Sequence, residues 1–85
     1  MINRLSSFKN YCSNNSINIL HDDLVFINEK LNKFHRDDYK QILIEYVDEW
    51  KRGMDSIENP SLKQSTGRFN ANQWLLKKSA KYDAL

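Results

Sequence analysis

A long run of apolar residues with helical spacing constrains the fold of this chain more than any other feature. Its apolar positions recur at intervals of three and four, the period of one helix face, at Tyr39, Ile42, Leu43, Tyr46, Val47, Trp50, Met54 and Ile57. Asp37 and Asp38 suit a helix start, and Asn59-Pro60 suits its end because proline disfavours helical backbone in the residue before it. The pattern therefore predicts a helix over 37–57.

Gly53 interrupts this apolar pattern. A glycine inside a helix costs about 1 kcal/mol relative to alanine. Either the helix ends early, near Arg52, or another element approaches the helix backbone closely at this point. We favour the close approach.

Three further segments show the same helical spacing over shorter lengths. They cover residues 1–13, 22–34 and 68–80. Only two residues, His35 and Arg36, separate the second of these from the helix over 37–57, so we expect a central antiparallel helical hairpin. Residues 17–20 fit either a short extended segment or a helical lead-in. The predicted fold is all-α, a small bundle of three to four helices in a single domain that spans residues 1–85.

Composition is typical of a small intracellular domain. The 85 residues are 40% hydrophobic and 28% charged, which is enough apolar material to fold around a small core built largely from aromatic side chains. Cys12 is the only cysteine, so an internal disulfide is excluded, and no apolar run is long enough for a signal peptide or a membrane span. We expect a cytoplasmic protein that does not associate with membranes.

One repeated pattern is a candidate for a metal or acid–base site, namely His21-Asp22-Asp23 and His35-Arg36-Asp37-Asp38. Imidazole and carboxylate groups are the ligands that such sites use. Aspartate pairs at predicted helix starts are better explained as caps, and in an antiparallel hairpin the two starts lie about 20 Å apart. Cys12 lies on an apolar stripe, and the two glycines form no phosphate-binding loop. We therefore predict no catalytic residue, no metal and no cofactor, and hence no enzyme.

The last third of the chain is the predicted interaction surface. Residues 60–85 carry a net charge of +4 and residues 1–59 a net charge of −2, and aromatic rings alternate with the cations, as on nucleic-acid-binding surfaces. Trp74 and Leu75 have the spacing of a docking face, so we assign them, with Phe69, to the core. The polar side that is left predicts partner contacts at Arg68, Asn70, Asn72, Gln73, Lys77 and Lys78.

Two segments resemble the C-terminal ends of small accessory proteins encoded by phages and prophages. In those proteins a helix with a spaced tyrosine and tryptophan, here Tyr46-Val47-Asp48-Glu49-Trp50, precedes a segment of the type G-R-x-x-A-N-x-W-L, here residues 67–75. The resemblance covers about residues 37–78 and implies a role on replication, recombination or host-defence machinery.

From the residues and the resemblance together we hypothesise a protein-binding module that modulates or inhibits a host or phage enzyme of replication, recombination or defence by surface occlusion; an enzyme that processes nucleic acid is one such partner. The alternative is an accessory protein that binds nucleic acid directly through its basic last third. The sequence leaves the oligomeric state open.

Overall fold

The computed structural model describes residues 3–83, which form a small helical bundle. Its α-helices are α1 (Ser6–Asn14), α2 (His21–Leu31), α3 (Tyr39–Asp55) and α4 (Lys63–Asp83). Short 3₁₀ turns at Asn3–Leu5, Arg36–Asp38 and Pro60–Leu62 lead into α1, α3 and α4. Residues 3–83 contain no strand, so the predicted all-α fold is confirmed. Met1 and Ile2, with which the predicted first helix began, lie outside the described residues.

The helix with the longest apolar pattern lies where the sequence predicts it. α3 begins two residues later and ends two residues earlier than the predicted range of 37–57. α2 starts within one residue of its predicted start, but it ends at Leu31, and Phe34 follows in a turn. Residues 17–20, for which two conformations were open, are neither helix nor strand and connect α1 to α2.

The last helix is longer than its sequence pattern predicts. α4 begins at Lys63, five residues before the predicted range of 68–80, and contains Gly67 in its interior. Asn59 caps the preceding 3₁₀ turn, because its Oδ1 accepts a hydrogen bond from the Ser61 amide at 3.0 Å, and Pro60 supplies the fixed φ angle that suits a helix start. The helix therefore starts at this turn and continues through Gly67 without interruption.

α3 and α4 run antiparallel and form the most extensive helix contact among the described residues. Gly53 of α3 and Gly67 of α4 face each other where the two helices cross. A Cβ atom on Gly67 would lie 2.7 Å from both Nε1 and the carbonyl oxygen of Trp50, and one on Gly53 would lie 2.8 Å from the carbonyl oxygen of Thr66. Side chains do not tolerate such contacts in a close-packed interior. The predicted close approach at Gly53 is confirmed. The tightest helix pair is α3 with α4, whereas the sequence placed α2 and α3 at the centre.

Aromatic residues of α3 occupy the middle of the core. Tyr46 and Trp50 are fully buried, and their ring centroids lie 6.0 Å apart. Phe8 of α1 contacts Tyr46 in an edge arrangement with centroids 6.1 Å apart. Rings of this size supply much of the buried apolar area in so small a core. The other buried apolar residues are Leu5, Cys12, Ile17, Leu24, Ile27, Leu31, Phe34, Ile42, Val47, Ala71 and Leu75.

Phe69 lies outside the core to which its spacing assigned it. Its side chain is 68% exposed, whereas Leu75 is fully buried and Trp74 packs partly buried against the core. The buried positions of α4 include Ala71, Leu75 and Ser79, which follow one another at intervals of four. Phe69 falls on the opposite side of the helix. Its assignment to the core is therefore wrong.

Replacing Gly67 with alanine should destabilise the protein, although alanine is the better helix former. The new Cβ would collide with Trp50, whose burial prevents it from moving aside, so we expect the free energy of unfolding to fall by about 2–4 kcal/mol. Urea unfolding followed by circular dichroism measures the change. Ala80→Gly, at an exposed position of the same helix, is the control and should cost about 1 kcal/mol through helix propensity alone. Unchanged or increased stability of Gly67→Ala would contradict the close crossing.

Candidate functional site

A buried carboxylate joins α2 to α4. The Oδ2 atom of Asp23 accepts hydrogen bonds from the Leu20 amide and from Arg68 Nε, both at 2.9 Å. The first of these bonds reaches back to the residue before α2, as the third-residue carboxylate of a capping box does. The second is an ion pair with α4. Asp23 therefore caps α2, as predicted, and also holds α4 against it.

Arg68 is the other half of this junction. Its Nη2 donates to the carbonyl oxygen of Asn18 at 2.8 Å, and its guanidinium carbon lies 5.0 Å from the ring centroid of Trp50. One side chain of α4 thereby contacts α2, the connection before it, and α3. A guanidinium suits this position because it offers several N–H donors in one plane and stacks on an aromatic face. Arg68, predicted as a partner contact, is only 24% exposed and is engaged within the fold.

The two asparagines predicted as partner contacts also bond within the bundle. Asn72 Oδ1 accepts a hydrogen bond from the Tyr46 hydroxyl at 2.5 Å, and Asn72 Nδ2 donates to Asp23 Oδ1 at 3.4 Å. Burial, reinforced by the Asp23 charge, raises the pKa of the Tyr46 hydroxyl, which stays protonated and donates. Asn70 Nδ2 donates to the Glu49 carbonyl oxygen at 2.6 Å. Both amides pair polar groups that would be costly to leave unpaired.

Lys63 contributes to the positive charge of the last third, but it too is engaged within the fold. Its Nζ donates to the carbonyl oxygens of Met54, at 2.9 Å, and Ile57, at 2.6 Å. The last carbonyl groups of a helix lack partners within that helix and carry partial negative charge. Lys63 therefore completes the end of α3, so part of the charge asymmetry between the two parts of the chain is structural.

The remaining predicted contacts lie further along α4. Gln73 is half-buried and lines a shallow depression on the helix surface. Lys78 lies over the ring of Trp74, with Nζ 5.6 Å from the centroid. Lys77 and Lys81 are exposed and have no partner among the described residues. Two free lysines are few for a surface that must neutralise several phosphates.

The outward side of α4 and the turn before it carry an apolar stripe that the sequence reasoning missed. Leu62, Phe69 and Leu76 are 45%, 68% and 42% exposed. They follow one another at intervals of seven residues, close to two helical turns, and exposed Ala80 continues the line. These four residues are here named the outer α4 stripe. The spacing is visible in the sequence, and the assignment of Phe69 to the core obscured it.

The helix that carries the outer α4 stripe is positively charged. Lys77 and Lys81 are exposed on the same helix, and the sequence has no acidic residue from position 60 to position 82. Apolar surface with a polar rim often marks an interaction site. The bonds of Arg68 and the crossing at Gly67 hold this helix in place, so the stripe is presented on a rigid support.

The two histidines of the repeated pattern lie at the starts of two different helical segments. His21 and His35 are both exposed. His35 Nδ1 accepts a hydrogen bond from the Asp37 amide at 3.2 Å, so the turn before α3 is capped by His35, whereas the sequence predicted capping by Asp37 and Asp38. Within residues 3–83, no three side chains of histidine, cysteine, aspartate or glutamate gather as metal ligands do.

Removing Arg68 should destabilise the fold far more than removing an exposed arginine. Arg68→Ala leaves the buried Asp23 carboxylate without its cation, and the partial exposure of Arg68 moderates the loss, so we expect about 2–3 kcal/mol. Arg52→Ala is the control, because Arg52 is 74% exposed in its ion pair with Glu49, and it should cost less than about 1 kcal/mol. Urea unfolding of both variants makes the comparison. Similar small losses would contradict the structural role of Arg68.

Cys12 should be unreactive in the folded protein. Burial, followed by the negative charge of Asp23, raises the pKa of its thiol to about 12, so the reactive thiolate is scarce at pH 8. We expect dithionitrobenzoate to label Cys12 rapidly in urea and very slowly in native buffer at the same pH. Because an unfolded thiol ionises near pH 8.5, the stability that the buried neutral thiol contributes is complete below that pH and declines above it. Rapid labelling of the folded protein would contradict the burial of Cys12 in α1.

Comparison with known proteins found no similar protein from which a function could be assigned. No protein-family profile matches the chain, no curated protein is significantly similar to it, and no solved structure matches it. Among residues 3–83 no helix combines the length and the apolar character needed to cross a membrane.

Proposed function

We propose that this chain is a protein-binding module whose outer α4 stripe docks on a partner enzyme and covers part of that enzyme's surface. The observation that carries the proposal is the 68% exposure of Phe69 in the middle of the stripe. Burial of an aromatic ring stabilises a complex, and such rings are frequent energetic hot spots of interfaces. At this exposure, Phe69 contributes little to the core.

The charge near the stripe defines the chemistry of the partner. Lys77 and Lys81 favour a contact surface with an apolar centre and acidic residues around it, because complementary charge sets partner choice and association rate. A second copy of the chain, docked stripe to stripe, would bring these lysines together without any acidic residue from positions 60–82 to pair with them. The proposed partner is therefore a different, acidic protein.

The resemblance to phage and prophage accessory proteins supplies the setting for this proposal. It points to a host or phage enzyme of replication, recombination or defence, met in the host cytoplasm. Within residues 67–75, Gly67, Arg68 and Leu75 hold the helices together, while Phe69 occupies an unspecified position of the motif. The residues that define the motif therefore stabilise the fold, whereas the proposed contact residue, Phe69, is not one of them.

Phe69→Ala should remove partner binding and leave the fold intact. The partner is identified by affinity capture from host cells and purified, and its affinity for the chain is measured by calorimetry. We expect Phe69→Ala to weaken binding by about 30-fold or more and to change the free energy of unfolding by less than about 0.5 kcal/mol. Val25→Ala is the matched control, because it shortens an apolar side chain of α2 that is 38% exposed.

Three outcomes would contradict parts of this proposal. Equal affinity of Phe69→Ala and the unmodified chain would exclude the outer α4 stripe as the docking face. Full activity of the enzyme when saturated with the chain would exclude occlusion. A gel shift with DNA or RNA at about 50 mM salt that is lost when Lys77 and Lys81 become glutamine, but kept in Phe69→Ala, would support direct nucleic-acid binding instead.

A further inference from the structure

A groove between α1 and α3 forms a second concave surface. Its volume is about 440 Å³, within the range of small-molecule sites. The walls are mainly apolar and are formed by Phe8, Tyr11, Tyr39, Leu43 and Ile44. No residue of α4 lines this groove, so it is separate from the outer α4 stripe.

Arg4 lines the same groove and is held by neutral groups. Its Nε and Nη2 donate to the side-chain and backbone oxygens of Asn28, both at 2.6 Å, and Nη2 also donates to Asn32 Oδ1 at 3.1 Å. Nη1 donates to the Tyr39 hydroxyl at 3.4 Å. A guanidinium has five N–H groups, so these four bonds leave one N–H on Nη1 without an acceptor among the described residues.

The described residues provide no carboxylate that would neutralise the positive charge at the groove. Among the described residues no carboxylate lies within ion-pair distance of Arg4 or of Lys40, an exposed residue that also lines the groove. Arg4 is already ordered by its hydrogen bonds, so binding an anion would cost little additional side-chain entropy. The remaining N–H on Nη1 can donate one hydrogen bond to a carboxylate oxygen, and such a charge-assisted bond is stronger than one between neutral groups.

We propose that this groove binds a small apolar carboxylate, with its hydrocarbon or aryl body against the aromatic and aliphatic walls and its carboxylate at Arg4 and Lys40. Both parts of the ligand are required. A neutral apolar molecule leaves the two cations unmatched, and a small anion without an apolar body leaves the walls exposed to water. The inference does not depend on the function proposed for the outer α4 stripe.

Titration with octanoate, octan-1-ol and acetate separates the two requirements. Each compound is added to the ¹⁵N-labelled full chain, and amide chemical shifts report both the affinity and the position of binding. We expect octanoate to bind with a Kd on the order of 1 mM and to shift the amides of the groove residues. Octan-1-ol should bind more weakly at the same place, and acetate should cause no localised shifts.

Two variants test the walls and the charge. Ser7 is exposed and lines the groove, so Ser7→Trp should fill the groove and prevent octanoate binding, whereas Ser13→Trp, at an exposed serine of the same helix outside the groove, should not. Lys40→Gln should weaken octanoate binding about fivefold and leave octan-1-ol binding unchanged. Lys9→Gln, at an exposed lysine outside the groove, should change neither affinity.

Equal affinities for octanoate and octan-1-ol would overturn the proposal, as would octanoate-induced shifts located elsewhere on the protein. So would undiminished octanoate binding by Ser7→Trp in a spectrum typical of the folded chain. The comparison of the two ligands on the unmodified protein decides the matter even where a variant fails to fold. The effect of Phe69→Ala on partner binding is measured separately, so failure here leaves the stripe proposal unchanged.

Discussion

The backbone contact between α3 and α4 at Gly53 and Gly67 determines where the other elements of the bundle lie. Because neither position has a side chain, Gly67 can lie directly against Trp50. Arg68, the next residue along α4, is then placed over the Trp50 ring and within reach of the Asp23 carboxylate. One steric requirement therefore positions α4 on α3, and the ion pair it permits positions α2 on α4.

Polar residues inside this bundle account for much of what first resembled a recognition surface. Arg68 and Asn72 are polar because they meet a buried carboxylate and a buried hydroxyl, where unpaired groups would be costly. Lys63 is basic because it meets the carbonyl groups at the end of α3. In so small a protein, a polar or charged side chain on a helix can bond to a buried group of the same chain just as well as to another molecule.

The two surfaces proposed to bind other molecules share one physical character. The outer α4 stripe and the groove between α1 and α3 each combine apolar side chains with cations that lack carboxylate partners among the described residues. Acidic residues such as Asp48 and Asp55 lie instead on the exposed side of α3. This arrangement favours ligands with an apolar part and a negative charge, and it disfavours polyanions that would extend across the acidic side.

The sequence by itself predicted four helical segments and favoured a close neighbour at Gly53, because helical periodicity and glycine propensity act within a few residues along the chain. Only the tertiary structure decided that Gly67 lies inside α4, that Phe69 faces outward and that Arg68 faces inward. These outcomes depend on which helix occupies the adjacent position, and the deciding contacts join residues far apart in sequence, such as Asp23 and Arg68, 45 positions apart. Apolar spacing identifies a helix face but does not specify its partner, so the exposed stripe became recognisable only once the opposite face of α4 was seen to be covered.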